Sequence, residues 1–226
     1  MQKFIVLTFD DAVDNHLSYV VPILQDYGFG ATFFICHSKQ WIDEHPECYL
    51  SWKDIRKISD AGFEIGNHTL NHLLSGVSEA VGRRDVSELN KLLVAEGIPK
   101  PVSFAYPGGP YVENAAKWLK EYGLQCARTT SKGLWDGNSD PMNISSWSVN
   151  AKKEENLQLA LFALTTAESE PCAAVLTYHG VPDIAHPGCN TPPEMFKRHM
   201  NILRDSGYSV LCMKDFHRLI TRKRES

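Results

Sequence analysis

The stretch Lys3-Phe4-Ile5-Val6-Leu7-Thr8-Phe9-Asp10-Asp11 is a nearly unbroken β-prone apolar run that ends on two adjacent carboxylates. A strand that is apolar at consecutive rather than alternate positions is one covered on both faces, as in parallel sheets flanked by helices. The rest of the chain repeats this pattern. Strand-like runs are expected at 3–9, 31–36, 63–66, 102–106, 124–129, 144–149, 173–179 and 208–212. Helical periodicity fills the gaps. Leu17, Val20, Val21, Leu24 and Tyr27 recur at spacings of three and four and stop at Gly28, with Pro22 either kinking that helix or marking its true start. Ser51 opens a second helix with Ile55 and Ile58 on its apolar face, and longer ones are expected at 77–96, 112–122, 152–167, 193–206 and 213–221. Repeated right-handed βα units over about 200–250 residues predict an α/β fold, either a parallel barrel or a doubly wound sheet.

The chain has 226 residues, 43% of them hydrophobic and 22% charged, with a formal net charge of −4. With no composition break to mark a linker, residues 1–226 read as one domain. No apolar run approaches the ~20 residues of a bilayer span. A mildly acidic balance without a basic stripe argues against nucleic acid as a partner. The chain enters its first strand with no apolar leader, so it reads as cytoplasmic, or as exported with a signal segment removed. Cys36, Cys48, Cys126, Cys172, Cys189 and Cys212 contain no C-x-x-C pair, and a domain of this size needs no staples, so they read as reduced. The segment 180–193 holds four prolines and two glycines, the mark of a long functional loop.

Four motifs carry chemistry. Asp10-Asp11 closes the first strand; adjacent carboxylates repel, so either a cation sits beside them or they cap a turn. His68-Thr69-Leu70-Asn71-His72 follows the third strand. Histidines at i and i+4 share one face of a helical turn, with Cβ atoms about 5–6 Å apart, so both can reach one metal. His179 ends the run Ala174-Val175-Leu176-Thr177-Tyr178, as a core histidine or a catalyst. Phe104-Ala105-Tyr106-Pro107-Gly108-Gly109 ends the fourth strand; its glycines make an ordinary turn or free backbone N–H groups to face an oxyanion. All four fall at carboxyl ends of separate strands, where barrel and open α/β enzymes assemble their sites. Together they fit one divalent ion held by two neutral histidines and a carboxylate, with a second carboxylate as base and a histidine as acid. Such a set suits metal-assisted hydrolysis of an amide or ester.

These residues resemble the polysaccharide deacetylase family (NodB-like, carbohydrate esterase family 4). Thr8-Phe9-Asp10-Asp11 is similar to its first motif, His68-Thr69-Leu70-Asn71-His72 to its second and Leu176-Thr177-Tyr178-His179 to its last, in an order that spans about residues 4–212. The resemblance implies a distorted (β/α) barrel of about seven parallel strands that removes N- or O-linked acetyl groups from sugars. It implies Asp10 as base, Asp11, His68 and His72 as metal ligands, His179 as acid, and the Gly108 N–H at the oxyanion. Two positions depart from the family pattern. Where many members carry an arginine that pairs with the base, this chain has Ala105; Arg128, at the end of the next strand, either supplies that charge or is a structural arginine. The fourth motif keeps Trp147 in Asn143-Ile144-Ser145-Ser146-Trp147 but lacks the aspartate that tunes the acid histidine, for which Asp183 is a weak substitute.

Tyr106, Tyr111, Trp135 and Trp147 lie in or after strands near the expected mouth, as a saccharide-stacking platform or as core. Trp41 and Trp52 read as packing residues. His16, His37, His45, His186, His199 and His217 read as structural, His186 with least support because it lies in the proline-rich loop. The expected substrate is an N-acetylated saccharide, and the net charge fits a neutral or cationic amino sugar better than an anion. The alternatives are a small non-sugar amide, such as a cyclic imide or ureide, and a non-catalytic carbohydrate-binding protein. Zinc is the expected ion, with cobalt, nickel and manganese compatible with the same ligands.

Overall fold

In a computed structural model, which describes residues 2–225, β1 (Lys3–Asp10) is the central strand of a curled sheet. The sheet runs through β2 (Thr32–Ile35), β3 (Glu64–Asn67), β4 (Ser103–Ala105) and β5 (Cys126–Arg128) on one side. On the other side of β1 lies β8 (Cys172–Tyr178), which pairs with two short strands, β6 (Trp135–Asp136) and β7 (Trp147–Ser148). β9 (Ser209–Leu211) pairs with the N-terminal half of β1. All pairings between these strands are parallel except that of β6. The backbone of Ile144 bonds to β5 while Trp147 and Ser148 pair with β8, so one short segment draws the two ends of the sheet together. The result is a curled, mostly parallel half-barrel, the distorted barrel that the family resemblance implies, where the pattern of strands and helices alone had left a doubly wound sheet open. The helices are α1 (Val21–Tyr27), α2 (Lys39–Glu44), α3 (Trp52–Asp60), α4 (Glu79–Ala95), α5 (Glu113–Leu119), α6 (Glu155–Thr166), α7 (Pro193–Ser206) and α8 (Met213–Glu225). No helix among the described residues is long and apolar enough to cross a membrane.

Strand parity explains how the functional end is built. Side chains alternate faces along a strand. On β1, Ile5, Leu7 and Phe9 pack outward into the core beneath the helices, while Val6 packs inward against Phe34, Ala105, Cys126, Ala173 and Val175. The inner file therefore continues Val6, Thr8, Asp10 on β1, Cys126, Arg128 on β5, and Val175, Thr177, His179 on β8. Registered pairs Val6–Val175 and Thr8–Thr177 put equal levels side by side. Three layers follow. An apolar floor lies lowest; a belt of hydroxyls, in which Thr177 Oγ1 meets Thr8 Oγ1 and Ser146 Oγ, lies above it; the charged groups sit on top. The floor is closed by α8, whose Phe216 packs edge-on to Trp135.

The chain departs from sequence expectation in several places. Pro22 sits in the first turn of α1, and the preceding residues His16–Val20 form a π-helical turn, so Pro22 marks a start rather than a kink. α2 carries no buried residue and hence no apolar periodicity to betray it. The strand expected at 144–149 shrinks to β7. All six cysteines are free, as expected.

Gly66 on β3 shows how tightly the inner file is packed. A Cβ there would come within 2.4 Å of the Phe34 ring, and the Arg128 guanidinium lies 5.1 Å above that ring. Gly66→Ala is expected to destabilise the fold by about 1–3 kcal/mol through overpacking. The fall in Tm should be on the order of 5 °C, since about 1 kcal/mol moves Tm by ~2–4 °C at this chain length. Thermal unfolding of the variant checks it; an unchanged Tm would show that Phe34 moves freely.

Candidate active site

Two strand ends bring together three potential ligand atoms. Asp11 Oδ1 lies 3.4 Å from His68 Nε2 and 3.7 Å from His72 Nε2, and one ligand atom from each residue falls within 4.8 Å of the others. On a tetrahedral ion with bonds of about 2.1 Å, ligand atoms lie roughly 3.4 Å apart, so the cluster is of the right size for one metal. His68 Nδ1 donates to the Ala105 carbonyl at 2.8 Å, which leaves Nε2 as the lone-pair nitrogen that a metal needs. Burial also lowers the His68 pKa, to about 4, so the ring is neutral. The residues fit a divalent ion.

The local backbone is unusual where these side chains converge. Asp11 (φ 71°), Ala12 (φ 50°), Thr69 (φ 63°) and His72 (φ 57°) are the positive-φ non-glycine residues of the described chain. Such conformations cost of order 1–3 kcal/mol each and persist only where surrounding contacts enforce them. Here α4 does so: Asp85 accepts from the Asn71 backbone N–H (2.8 Å) and side chain (2.6 Å), and Asn67 Oδ1 accepts from Thr69 N–H. His68 and His72 thus lie on a pinned loop, not on one face of a helical turn as their spacing suggested. The positive φ at Thr69 and His72 breaks the helix but still brings the rings to 4.9 Å.

Asp10 faces the interior from β1 and is ion-paired and hydrogen-bonded to Arg128, which is fully buried. Burial pushes the Asp10 carboxyl up, but Arg128, His68 and His179 outweigh it and hold the pKa at about 2. Arg128, from the strand beside the one where the family arginine is expected, is therefore seated against Asp10. His179 Nε2 lies 3.9 Å from Asp10 Oδ2 and 3.6 Å from Asp11 Oδ2. Burial works against a charged ring there, yet Cys189 and the two carboxylates raise its pKa to about 9. Its backbone is anchored by the buried His16, whose Nε2 meets the His179 carbonyl at 3.2 Å.

These groups line a cavity of about 340 Å³ together with Tyr106, Gly108 (φ 72°) and Gly109. Trp41 and His186 form a wall of the same cavity. Trp41 packs 5.1 Å from both the His72 and His186 rings, and the Tyr49 hydroxyl bonds to His186 Nε2 at 3.2 Å.

The family model for polysaccharide deacetylases matches residues 1–127. The chain belongs to the polysaccharide deacetylase family. A peptidoglycan-N-acetylglucosamine deacetylase of Bacillus cereus is 33% identical over 143 residues, a match covering 62% of this chain and 60% of that protein. A structure from Mycobacterium smegmatis assigned to the polysaccharide deacetylases superposes with a TM-score of 0.68 at 18% identity, over 99% of this chain and 91% of that one. A Bacillus anthracis member described as a carbohydrate esterase family 4 pseudoenzyme matches at TM-score 0.62 and 20% identity, over 95% and 66% of the two chains. At these identities the structural matches establish fold, and the pseudoenzyme shows that family membership alone does not establish turnover.

Within the family frame, several sequence expectations need correction. Trp135 is fully buried against Phe216 in the floor, and Trp147 is 8% exposed with its indole N–H donating to Gly133; neither lines the cavity. Tyr111 packs edge-on to Tyr106 but stands outside the lining. Tyr106 does line it, with its hydroxyl held by the Met142 carbonyl. Asp183 contacts His186 (3.3 Å) and accepts from the N–H groups of Gly180 and His186, so it pins the 180–193 loop instead of tuning His179. Trp41 and His186, expected to be packing residues, are the wall; Cys189 was likewise expected to be structural and stands in the lining. The only sequence signal for His186 and Cys189 was their loop, and Trp41 had none.

Proposed function

We propose that this chain is a metal-dependent deacetylase of N-acetylated amino sugars. The observation that carries the reading is the convergence of Asp11, His68 and His72 beside an arginine-held Asp10 in one cavity. Asp11, His68 and His72 would hold a divalent ion, most simply zinc, which when bound polarises the scissile carbonyl and acidifies water. Asp10, kept ionised by Arg128, accepts the proton of the attacking water. The Gly108 N–H, at a turn left open by its positive φ, donates to the developing oxyanion. His179, across the cavity from Asp10 with its pKa raised by Cys189 and the carboxylates against the cost of burial, delivers a proton to the departing amine. Trp41, His186 and Tyr106 exclude water around the reacting amide.

The B. cereus relative is named for N-acetylglucosamine in peptidoglycan, which supports an N-acetylated glycan here as well. A substrate panel tests the reading. Acetate release from N-acetylglucosamine oligomers, with no hydrolysis of cyclic imides or ureides, is expected; hydrolysis of the imides alone would move the activity to small non-sugar amides.

A further inference from the structure

His179 stands just past the point where the sheet stops holding it. The β1–β8 ladder runs in register from Lys3–Cys172 to Phe9–Tyr178, so the next residues outward, Asp10 and His179, lie beyond the registered pairs. The chain leaves β1 through the positive-φ pair Asp11 and Ala12 and then runs against the segment that follows β8. A Cβ on Gly180 would lie 2.8 Å from Val13 Cγ1. Asn15 and His16, at the start of the π-helical turn, bind three backbone groups of that segment. His16 Nε2 donates to the His179 carbonyl at 3.2 Å, Asn15 Oδ1 accepts from the Val181 N–H at 2.9 Å, and Asn15 Nδ2 donates to the Pro182 carbonyl at 2.6 Å.

A carbonyl only accepts, so His16 carries its proton on Nε2, and Nδ1, the bare nitrogen, has no hydrogen-bond partner. The ring is fully buried, 5.7 Å from the Phe9 ring and 5.4 Å from that of Phe33, and burial lowers its pKa to about 4. A leucine would fill the same space without orphaning a buried nitrogen, a cost that packing alone does not require.

We propose that Asn15 and His16 are positioning residues that brace the backbone on which His179 stands and so set its separation from Asp10, which is 3.9 Å from Nε2 to Oδ2. The inference rests on the deacetylase reading above, in which His179 protonates the departing amine. Base and acid then belong to one unit, because the brace follows Asp10 directly in the chain. A misplacement of about 1 Å in such a unit costs on the order of 10²-fold in rate.

The test uses two acetyl donors that differ in leaving group. The amine of di-N-acetylchitobiose needs a proton as the C–N bond breaks, whereas 4-nitrophenyl acetate releases a stable phenolate without an acid. His16→Leu and Asn15→Ala should each lower kcat for the sugar amide by roughly 10–100-fold, with KM and metal content unchanged, and lower the ester rate by no more than about twofold. His16→Gln, whose side-chain N–H can meet the same carbonyl, should recover most of the sugar kcat. Tm is measured for every variant, and the half-buried Asn15 keeps the test open should His16→Leu fail to fold. Equal losses on both donors, or no loss on the sugar amide, would overturn the brace. If the wild type releases no acetate from the sugar, the deacetylase reading falls instead. In that case, or if the ester is not a substrate, crystal structures decide the brace. A His179 ring displaced from Asp10 by about 1 Å or more in Asn15→Ala or His16→Leu upholds it, and an unmoved ring overturns it.

Discussion

Asp10→Asn is expected to lower kcat for acetate release by roughly 10²–10⁴-fold, the usual worth of a positioned general base. The amide keeps the shape of the carboxyl group but cannot take a proton. Asp10 is not among the three residues whose ligand atoms cluster, so metal content should stay at the wild-type level while turnover is lost. The substitution also leaves the buried Arg128 facing a neutral group, so Tm is measured beside kcat to separate lost chemistry from lost fold. A variant that binds metal, stays folded and retains wild-type kcat would remove Asp10 as the base.

Arg128→Met should be nearly as damaging, by a different route. It removes one partner of a fully buried ion pair, a change that typically costs about 3–5 kcal/mol because the other charge stays buried. With Arg128 present, Asp10 titrates near 2 against an ordinary value of 3.8. A depressed folded pKa stabilises the folded state above pH 3.8, and that contribution disappears as pH falls from 3.8 toward 2. At 1.36 kcal/mol per unit it is worth roughly 2 kcal/mol at neutral pH. Without the guanidinium, burial dominates and lifts the Asp10 pKa. The acid limb of the activity profile should therefore move to higher pH, while Arg128→Lys, which keeps the charge, should move it less. An unshifted limb in Arg128→Met would make Arg128 a structural residue only.

How far the sequence could carry the fold and the site depends on which distances are local. β1 was legible because Phe4 through Phe9 form one β-prone run that closes on an acidic pair, Asp10-Asp11. The same holds for the run that ends on His179, whereas His68 follows the shorter, mixed segment Phe63-Glu64-Ile65-Gly66-Asn67. Arg128 was legible only as a candidate, since its meeting with Asp10 depends on both residues falling on the inner parity of strands four places apart in the sheet. The loop form of His68–His72 was not legible, because its positive φ angles are imposed by Asp85 and Asn67 through contacts with α4. Trp41 could not be assigned for a related reason. It sits on a six-residue helix with no buried face, and only the folded chain brings it against His72 and His186. Trp135 misled in the opposite sense: its two-residue strand runs antiparallel, and the indole is enclosed by Phe216 of the C-terminal helix.

The most direct measurement is a zinc titration of chelator-stripped protein, with acetate release from di-N-acetylchitobiose followed in the same samples. Release should be absent without metal, rise in proportion to added zinc and level off at one ion per chain, with Asp11→Ala failing to respond at that stoichiometry. Release that proceeds unchanged in excess chelator would contradict the assignment of Asp11, His68 and His72 as the centre of a metal-dependent deacetylase.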